Sequence, residues 1–388
     1  MKIVIAIDSL KNSLTSMEAG NAIREGVYQA LGKDGVDVVV KPLADGGEGT
    51  VEALAAGLNG TVETVSVHGP LTDTVQCPYA YIPQTKTAVI EMAGAAGLGQ
   101  VPEEKRNPLN TTTYGVGEVI RHAIGQGIRH FIIGLGGSAT SDGGLGMLQA
   151  LGFVFLDDAG QPVGLGGRGM ARVASLDGRK VMPELQDCVV DVACNVINPL
   201  YGPNGAAHVV GPQKGATPDI VEELDRGSRN LAAVTAAYMG QDLAQTPGAG
   251  AAGGLGFAFV AYLGGKLRSG IDIVLDAIQL DEVVADADYV VTGEGRLDAQ
   301  TAMGKAPIGV AKRAKKYGAT VIALAGCTTP DAVRCNEQGI DAFFSIVDKA
   351  MPLPEAMRKD VALKNMTNTA TQVFNLIGAF QKENKNSL

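Results

Sequence analysis

The clearest chemical signal in the chain is a predicted turn that follows a short apolar run, Tyr289–Val291. The turn contains Glu294, Arg296 and Asp298, and its glycines would let backbone N–H groups approach an anion. Open α/β sheets place ligands at such strand ends, and carboxylates suit Mg²⁺, which prefers oxygen ligands. Further on, Lys305 precedes a predicted helix whose start would add a positive dipole end. These residue types predict phosphoryl transfer, which depends on positioning and electrostatics.

A second group of candidates follows the apolar run Lys2–Ile7 near the N-terminus. Asp8 stands at the predicted strand end, where a carboxylate can hold Mg²⁺ directly or through water. Ser9 follows it, and Lys11 lies three residues beyond Asp8, where its ammonium could neutralise a phosphate. The alternative is a structural role at the next helix start, where a hydroxyl residue would be the N-cap and Glu18 would complete a capping box.

The run Val36–Lys41 predicts a second strand, which leads to Asp45, Gly46 and Gly47. The two glycines would allow close backbone approach to an anion at a helix start. Asp45 is again placed to bind a metal, although an N-cap role with Glu48 offsetting the helix dipole explains the same residue. Its neighbours favour the metal.

A glycine-rich segment, Gly134–Gly144, follows the apolar run HFIIG. In it, Gly136, Gly137 and Ser138 are typical of a nucleotide-phosphate loop, where backbone N–H groups and hydroxyls bond to phosphate. The segment is not a Walker A loop, because no GKS or GKT closes it, and a tight turn is the alternative. Lys214 offers a further cation beside a glycine.

Two asparagines, Asn195 and Asn198, follow another predicted strand, Val189–Ala193. They could orient a polyhydroxy substrate, or they could form Asx-turns before a proline. The small-residue run Pro247–Gly254 leads into a predicted helix near Gly253–Gly265. That run could bind an anion through its backbone or could allow close packing, and the sequence favours neither.

Composition excludes several classes of protein. Apolar residues make up 46% and charged residues 19%, which is enough for a sizeable core and too little charge for a disordered chain. The net charge of −9 argues against a nucleic-acid surface. The N-terminus leads directly into a strand without a signal peptide, and no apolar run reaches the ~20 residues of a membrane helix. Five cysteines without a CxxC pair suggest reduced thiols. We expect a cytoplasmic enzyme, as a monomer or homodimer, that binds neither nucleic acid nor membrane.

The two ends of the chain predict five strands separated by helices. Two strands lie in the N-terminal part, and the C-terminal part supplies Tyr289–Thr292, Thr320–Ala325 and Ala342–Ile346. The intervening helices are predicted at Ser16–Leu31, Gly47–Gly57, Ile308–Tyr317, about Asp331–Glu337, and roughly Val361–Ala379.

This pattern predicts an α/β fold with a flavodoxin-like doubly wound parallel sheet of strand order 2-1-3-4-5. Residues 1–60 and 283–388 would form that domain. Residues 61–282 would form a second α/β domain, inserted between strands 2 and 3. In this sheet the turn at Asp8 would face the turn at Glu294, although the two are far apart in sequence.

Seven blocks of sequence resemble the type-1 glycerate kinase family and occur in the family's order. They are MKIVIAIDSLKNSLTS, PLADGGEGTVEAL, GLGGSATSDGG, NPLYGPNGAA, GPQKGA, PGAGAAGGLGFA and TGEGRLDAQTAMGKAPIGVA. The resemblance implies ATP- and Mg²⁺-dependent phosphorylation of D-glycerate, usually to 2-phosphoglycerate in the bacterial branch. It also implies that the inserted domain resembles the restriction-endonuclease fold and that the substrate lies in a cleft between the domains.

The predicted mechanism places ATP phosphates against the Gly46–Gly47 and Gly136–Ser138 turns. Mg²⁺ would bridge the phosphate oxygens, held by Asp8 or Asp45, with Glu294 as a further carboxylate. The alternatives are a phosphotransferase or phosphatase acting on a related small hydroxy acid, or a protein that binds such a ligand without catalysis.

Basic side chains would complete this site. Lys11 would stabilise charge on the transferring group, and Arg296 and Lys305 would hold the carboxylate of the acid. We also predict that Ser9, Lys214 and Asp298 bind substrate or phosphate.

One position departs from the family. Where members usually have Asp before the Asn-Pro-Leu triplet, this chain has Asn195. An Asp there could accept the proton of the glycerate hydroxyl, whereas Asn has a similar shape but cannot act as a base. The position could serve geometry alone, another carboxylate could be the base, or the residue could have been changed deliberately to trap a substrate. The sequence leaves these three explanations open, and impaired activity is one consequence.

Overall fold

A computed structural model describes residues 1–386 of the chain. It is a mixed α/β protein with a parallel and a mixed sheet, which confirms the predicted α/β class. The chain separates into two compact units. The first contains Met1–Asp45, Glu52–Asn59 and Val274–Leu388, and the second contains Gly46–Val51 and Gly60–Ile273. Residues 387 and 388, which end the predicted domain 283–388, lie outside the described residues.

Thirteen strands are present in the described part of the chain. They are β1 (Lys2–Ile5), β2 (Asp37–Val40), β3 (Thr61–His68), β4 (Thr74–Ile82), β5 (Thr87–Glu91), β6 (His130–Gly134), β7 (Val154–Leu156), β8 (Ser175–Asp177), β9 (Val189–Ala193), β10 (Lys266–Arg268), β11 (Tyr289–Leu297), β12 (Thr320–Thr328) and β13 (Ala342–Ser345).

Fifteen α-helices accompany these strands within residues 1–386. They are α1 (Ser16–Leu31), α2 (Thr50–Gly57), α3 (Ala93–Ala96), α4 (Tyr114–Gly125), α5 (Leu145–Ala150), α6 (Gly167–Met170), α7 (Ala206–Val210), α8 (Pro218–Met239), α9 (Ala251–Leu263), α10 (Gly270–Ala277), α11 (Leu280–Val284), α12 (Ala299–Ala302), α13 (Ala306–Lys315), α14 (Leu353–Ala356) and α15 (Lys359–Asn386). No helix among the described residues is long and apolar enough to cross a membrane.

The first unit is built on a five-stranded sheet in the order β13-β12-β11-β1-β2, and each neighbouring pair of strands is parallel. In β1, Ile3 pairs with Tyr289 of β11 on one side and with Val38 of β2 on the other. Strands that are buried on both faces read as continuous apolar runs, which explains the sequence IVI at the centre of this sheet. The carboxyl ends of β1 and β11 therefore lie side by side.

Helix α1 follows the turn at the end of β1, and a capping box fixes its start, as the sequence predicts. The N–H of Glu18 donates to Thr15 Oγ1, and the Glu18 carboxylate accepts the N–H of Thr15. Helix α15 packs tightly on α1. A Cβ on Gly26 would lie only 2.5 Å from the carbonyl oxygen of Thr367, so only glycine allows this approach.

The predicted turn after Tyr289–Thr292 is wrong, because β11 continues to Leu297. Its extension pairs with an equally long β12, in which Glu294 lies opposite Ala325 and Arg296 opposite Cys327. Backbone pairing along both strands outweighs the poor strand propensity of glycine and charged residues. Glu294 and Arg296 therefore project from a strand.

The second unit contains a six-stranded sheet in the order β10-β9-β6-β5-β4-β3. The pairs β3–β4 and β4–β5 are antiparallel, and the remaining pairs are parallel. Helices α4, α5 and α9 contribute buried residues to its core, including Val119, Leu148 and Phe257. The carboxyl ends of β6 and β9 lead into the glycine-rich segment and into Asn195.

Two predicted helices differ from the observed ones. Pro330–Gln338 forms a 3₁₀ helix. Helix α9 begins at Ala251 and ends at Leu263, but residues 252–254 have positive φ and interrupt it. A Cβ on Gly253 would lie 2.0 Å from the carbonyl oxygen of Thr140. Close packing therefore explains the glycines of this run.

Candidate functional site

The turn after β1 contains a buried carboxyl group, Asp8, which is only 6% exposed. Its N–H donates to the carbonyl oxygen of Gly293 in β11 at 3.0 Å, and its Oδ1 accepts the N–H of Ser9 at 2.7 Å. Burial, followed by the charge of Asp45, raises the pKa of Asp8 to about 7, whereas Lys11 acts in the opposite direction. A cation bound beside this carboxyl would favour its charged form.

Glu294 and Asp298 lie further along the first unit and are linked by one hydroxyl. Thr301 Oγ1 donates to Glu294 Oε1 at 2.5 Å and accepts the N–H of Asp298 at 3.1 Å. Burial raises the pKa of Glu294. Burial acts in the same direction on Asp298, but hydrogen bonds from Thr301, Arg296 and Gln300 outweigh it and lower the pKa of Asp298. Asp298 is the N-cap of α12, so the structure gives it a positioning role.

The predicted basic residues of this unit differ in their surroundings. Arg296 Nε and Nη2 each lie 2.9 Å from Asp298 Oδ2, and the Arg296 side chain is 62% exposed. Lys305 is the N-cap residue of α13, and its charge acts on both Glu294 and Asp298. Lys11 is exposed. The unit thus gathers carboxylates and lysines around the ends of β1 and β11.

The carboxylates of Asp8 and Asp45 fit a metal ion only if a bound substrate supplies further ligands. Among residues 1–386, no group of three or more His, Cys, Asp or Glu side chains is placed to hold a metal ion. Mg²⁺ needs no such group, because it keeps several waters and binds through one or two carboxylates plus substrate phosphates. Asp8 and Asp45 are carboxylates whose charges interact, and a cation would relieve their repulsion. The oxygen donors therefore fit Mg²⁺ bound together with a nucleotide.

In the second unit, the two predicted phosphate turns lie against each other. A Cβ on Gly134 would lie 2.4 Å from the carbonyl oxygen of Gly46, and a Cβ on Gly136 would lie 3.3 Å from Gly47 Cα. Gly46 has a φ of 85°, and a Cβ there would meet Ala193 at 2.5 Å. Glycine is therefore required where these backbones approach.

The loop after β6 presents a row of backbone donors. The N–H groups of Gly136, Gly137 and Ser138 have no hydrogen-bond acceptor among the described residues. The loop is nevertheless fixed, because Gly137 O accepts the N–H of Leu98 at 2.8 Å and Ala139 N–H donates to Ala96 O at 2.9 Å. Consecutive N–H groups held in this way form an anion-binding concavity.

Lys214 lies behind this loop at the end of a 3₁₀ helix, Pro212–Lys214. Its side chain is buried, and Nζ donates to Ser138 Oγ at 2.7 Å and to Thr140 O at 2.6 Å. Burial lowers the pKa of Lys214 to about 7, and the charge of Asp142 opposes that change. The ammonium therefore binds the loop itself.

Asn195 is exposed after β9, and its Oδ1 accepts the N–H of Gly270 at 2.9 Å, at the start of α10. This oxygen is thus engaged with the backbone. Asn198 has a structural partner, because its Nδ2 donates to Asn204 O at 2.9 Å. Both asparagine side chains are thus bonded to backbone groups, and the catalytic role of Asn195 stays a prediction.

Comparison with known proteins identifies the family of this chain. The family model described as the glycerate kinase family matches residues 3–378. The chain belongs to the glycerate kinase family. The resemblance seen in the sequence is therefore confirmed, and the enzyme class with it.

Several relatives of the glycerate kinase family align over nearly their whole length. A glycerate kinase of Halalkalibacterium halodurans is 48% identical over 93% of this chain and 94% of its own length. A glycerate 2-kinase of Escherichia coli K12 is 48% identical over 92% and 93%, respectively. A crystal structure described as a candidate glycerate kinase 2 of Salmonella typhimurium LT2 has a TM-score of 0.91 and 46% identity, covering 98% of this chain and 99% of that one.

Two residues whose hydrogen bonds hold the candidate site residues were not predicted from the sequence. Thr301 joins Glu294 to the N–H of Asp298, and Asp142 accepts hydrogen bonds from Thr113 and the backbone after it. The threonine run at 111–113 and the charged residue inside a glycine-rich loop were the available signals. Neither reveals its partner, because the contacts join segments far apart in sequence.

Proposed function

We propose that the chain phosphorylates D-glycerate with ATP and Mg²⁺, giving 2-phosphoglycerate and ADP. The observation that carries this proposal is the row of unpaired N–H groups at Gly136, Gly137 and Ser138, in a member of the glycerate kinase family. Such donors suit a polyphosphate, which is the anion that a kinase must hold still.

The second unit would hold the ATP phosphates. The N–H groups of the glycine-rich loop would donate to phosphate oxygens, and the Gly46–Gly47 turn lies against the same loop. Lys214 acts on this loop through Ser138. Because these donors are fixed before the ligand arrives, they need little reorganisation during the reaction.

The first unit would handle the cation and the transferring charge. Asp8 and Asp45 would bind Mg²⁺, which neutralises phosphate charge when bound. Glu294 would be a further carboxylate, held in place by Thr301. Lys11 would stabilise the transferring group, with Ser9 beside Asp8 as a further donor.

The glycerate carboxylate would bind Lys305 and the exposed guanidinium of Arg296. Arg296 uses Nε and Nη2 toward Asp298, which orients its remaining N–H groups. In the reaction, the glycerate hydroxyl oxygen attacks the γ-phosphorus, the bond to ADP breaks, and the hydroxyl proton passes to a base. Asn195 cannot be that base as an amide.

We also propose the finer fold description. The parallel order β2-β1-β11-β12-β13 supports a flavodoxin-like domain, with the second unit as an inserted domain resembling the restriction-endonuclease fold. A substrate cleft between the domains, a cytoplasmic location, and a monomeric or homodimeric state remain predictions.

The deciding experiment is glycerate-dependent ADP release with Mg²⁺, comparing the chain with its Asn195→Asp variant. An Asp oxygen can accept the same Gly270 N–H, so we expect an unchanged melting temperature. We expect turnover to rise at least tenfold, because a positioned base contributes about 10²–10⁴-fold. Equal rates would mean that another carboxylate acts as the base.

Other outcomes separate the alternative functions. Phosphate release without ATP would indicate a phosphatase, and ATP binding without turnover in either variant would contradict the substrate assignment. Phosphorus NMR of the product identifies which hydroxyl is phosphorylated, and chelation of Mg²⁺ should abolish turnover.

A further inference from the structure

The glycine-rich loop of the second unit is fixed from behind by two buried groups of opposite charge. Lys214 is 2% exposed, and Asp142 is fully buried. They lie on different segments of the chain. Burying a charge is unfavourable unless hydrogen bonds and an opposite charge compensate it, so each requires an explanation.

Lys214 contacts the middle of the loop. Its Nζ donates to Ser138 Oγ at 2.7 Å and to Thr140 O at 2.6 Å. Ser138 also has one of the N–H groups without an acceptor among the described residues. Hydrogen bonds from a charged donor are stronger than neutral ones, so Lys214 can fix the orientation of these residues.

The aspartate engages the end of the loop. Asp142 accepts the N–H of Thr113 at 2.8 Å and its hydroxyl at 2.9 Å, and it also accepts the N–H groups of Gly144 at 3.1 Å and Gly146 at 3.2 Å. These bonds join the loop to the first turns of both α4 and α5. A carboxylate with this many donors fixes the backbone around it.

We infer that Lys214 and Asp142 are positioning residues that fix the middle and the end of the glycine-rich loop, so that the N–H groups of Gly136, Gly137 and Ser138 stay available to phosphate. Lys214 thereby acts through Ser138 and Thr140 and makes no contact of its own with the nucleotide. This inference deepens the proposed function, on which its kinetic test rests.

The first test is hydrogen exchange by mass spectrometry, which needs no substrate. Lys214→Met and Asp142→Asn should each accelerate exchange at least tenfold in residues 139–146, and should leave the β3–β4 hairpin within twofold. Lys266→Met and Asp158→Asn change exposed residues of the same unit and should leave the loop unchanged. Unaltered exchange in both loop variants would overturn the inference.

The second test is kinetic. Lys214→Met should raise the KM for ATP at least tenfold, with a smaller fall in kcat, and Ser138→Ala should raise it about threefold. If Lys214 acts through Ser138, the double variant will show less than the product of the two effects. A full product would mean that Lys214 does not act through Ser138, and the inferred positioning of Ser138 would be wrong.

Two controls separate failure of folding and failure of the proposed function from failure of this inference. If Lys214→Met does not fold, Ser138→Ala decides through exchange, because it removes one of the two acceptors of Lys214; unaltered exchange there counts against the inference. If neither the unchanged protein nor its Asn195→Asp variant releases ADP, the proposed function is contradicted. Accelerated exchange in the variants would still support the positioning role.

Discussion

The two units use the same structural device, a turn at the carboxyl end of a parallel strand, with opposite electrostatic results. In the first unit the turn buries a carboxyl group, and burial together with Asp45 raises the pKa of Asp8 to about 7. In the second unit it buries an ammonium, and burial lowers the pKa of Lys214 to about 7. In each turn, burial disfavours the charged form of one side chain, which is a carboxylate in the first unit and an ammonium in the second.

The difference predicts which ligand each region binds. A buried carboxylate is stabilised by a cation, and unpaired N–H groups are stabilised by an anion. The pH responses also have opposite signs. The contribution of Asp8 to stability is complete below its ordinary pKa of 3.8 and is lost as pH rises through about 7, whereas the contribution of Lys214 is complete above its ordinary pKa of 10.5 and is lost as pH falls through about 7.

The largest effect should come from removing the charge of Asp8 in the first unit. Asp8→Asn removes the charge but keeps the shape, and we expect kcat for ADP release to fall at least ~100-fold, since electrostatic stabilisation is usually the largest catalytic contribution. Asp34→Asn, on the exposed surface of the same unit, is the matched control. Turnover within threefold of the unchanged protein would exclude Asp8 from the site.

A smaller effect should come from changing the glycine-rich loop of the second unit, whose N–H groups are the proposed phosphate donors. Gly137 has a φ of 76°, and a Cβ there would lie 3.3 Å from Ala93 Cβ, so Gly137→Ala strains the loop. We expect the KM for ATP to rise about tenfold, with a loss of stability of about 1–2 kcal/mol. Gly99→Ala has open space and should change neither value. An unchanged KM in Gly137→Ala would argue against phosphate binding there.

The pH dependence of stability sharpens the comparison. The folded pKa of Asp8 is about 7 against an ordinary value of 3.8, so its contribution is complete below pH 3.8 and lost above about 7. The whole change is about 4 kcal/mol. Measured by denaturant unfolding without metal, the unchanged protein should lose stability relative to Asp8→Asn between pH 4 and 8. Parallel curves for the two proteins would contradict the raised pKa.

The smallest effect tests stability without chemistry. Thr15→Ala removes the N-cap of α1, and we expect a loss of about 1 kcal/mol in the free energy of unfolding. Turnover should stay within twofold, because the hydrogen bonds of Thr15 within residues 1–386 are to Glu18 and Ala19 at the helix start. A tenfold fall in kcat would mean that the cap positions the Asp8 turn as well as the helix.

The sequence predicted local features well. The bounds of α1 and its capping box, the strand at His130–Gly134 and the glycine-rich loop follow from patterns that adjacent residues create. The end of β11 was predicted wrongly, because the glycines and charges near Glu294 favour a turn locally. Pairing with β12, a separate segment, overrides that local preference.

By itself, the sequence determined the family, the α/β class and the strand ends at which polar residues gather, because residue type and spacing carry that information. Only the tertiary structure decided that Asp8 is buried beside Asp45, that Lys214 binds Ser138, and that Asp142 joins α4 to α5. These facts depend on burial and on contacts between distant segments. Desolvation changes a pKa only after the chain has excluded water, and no local pattern records which group will be enclosed.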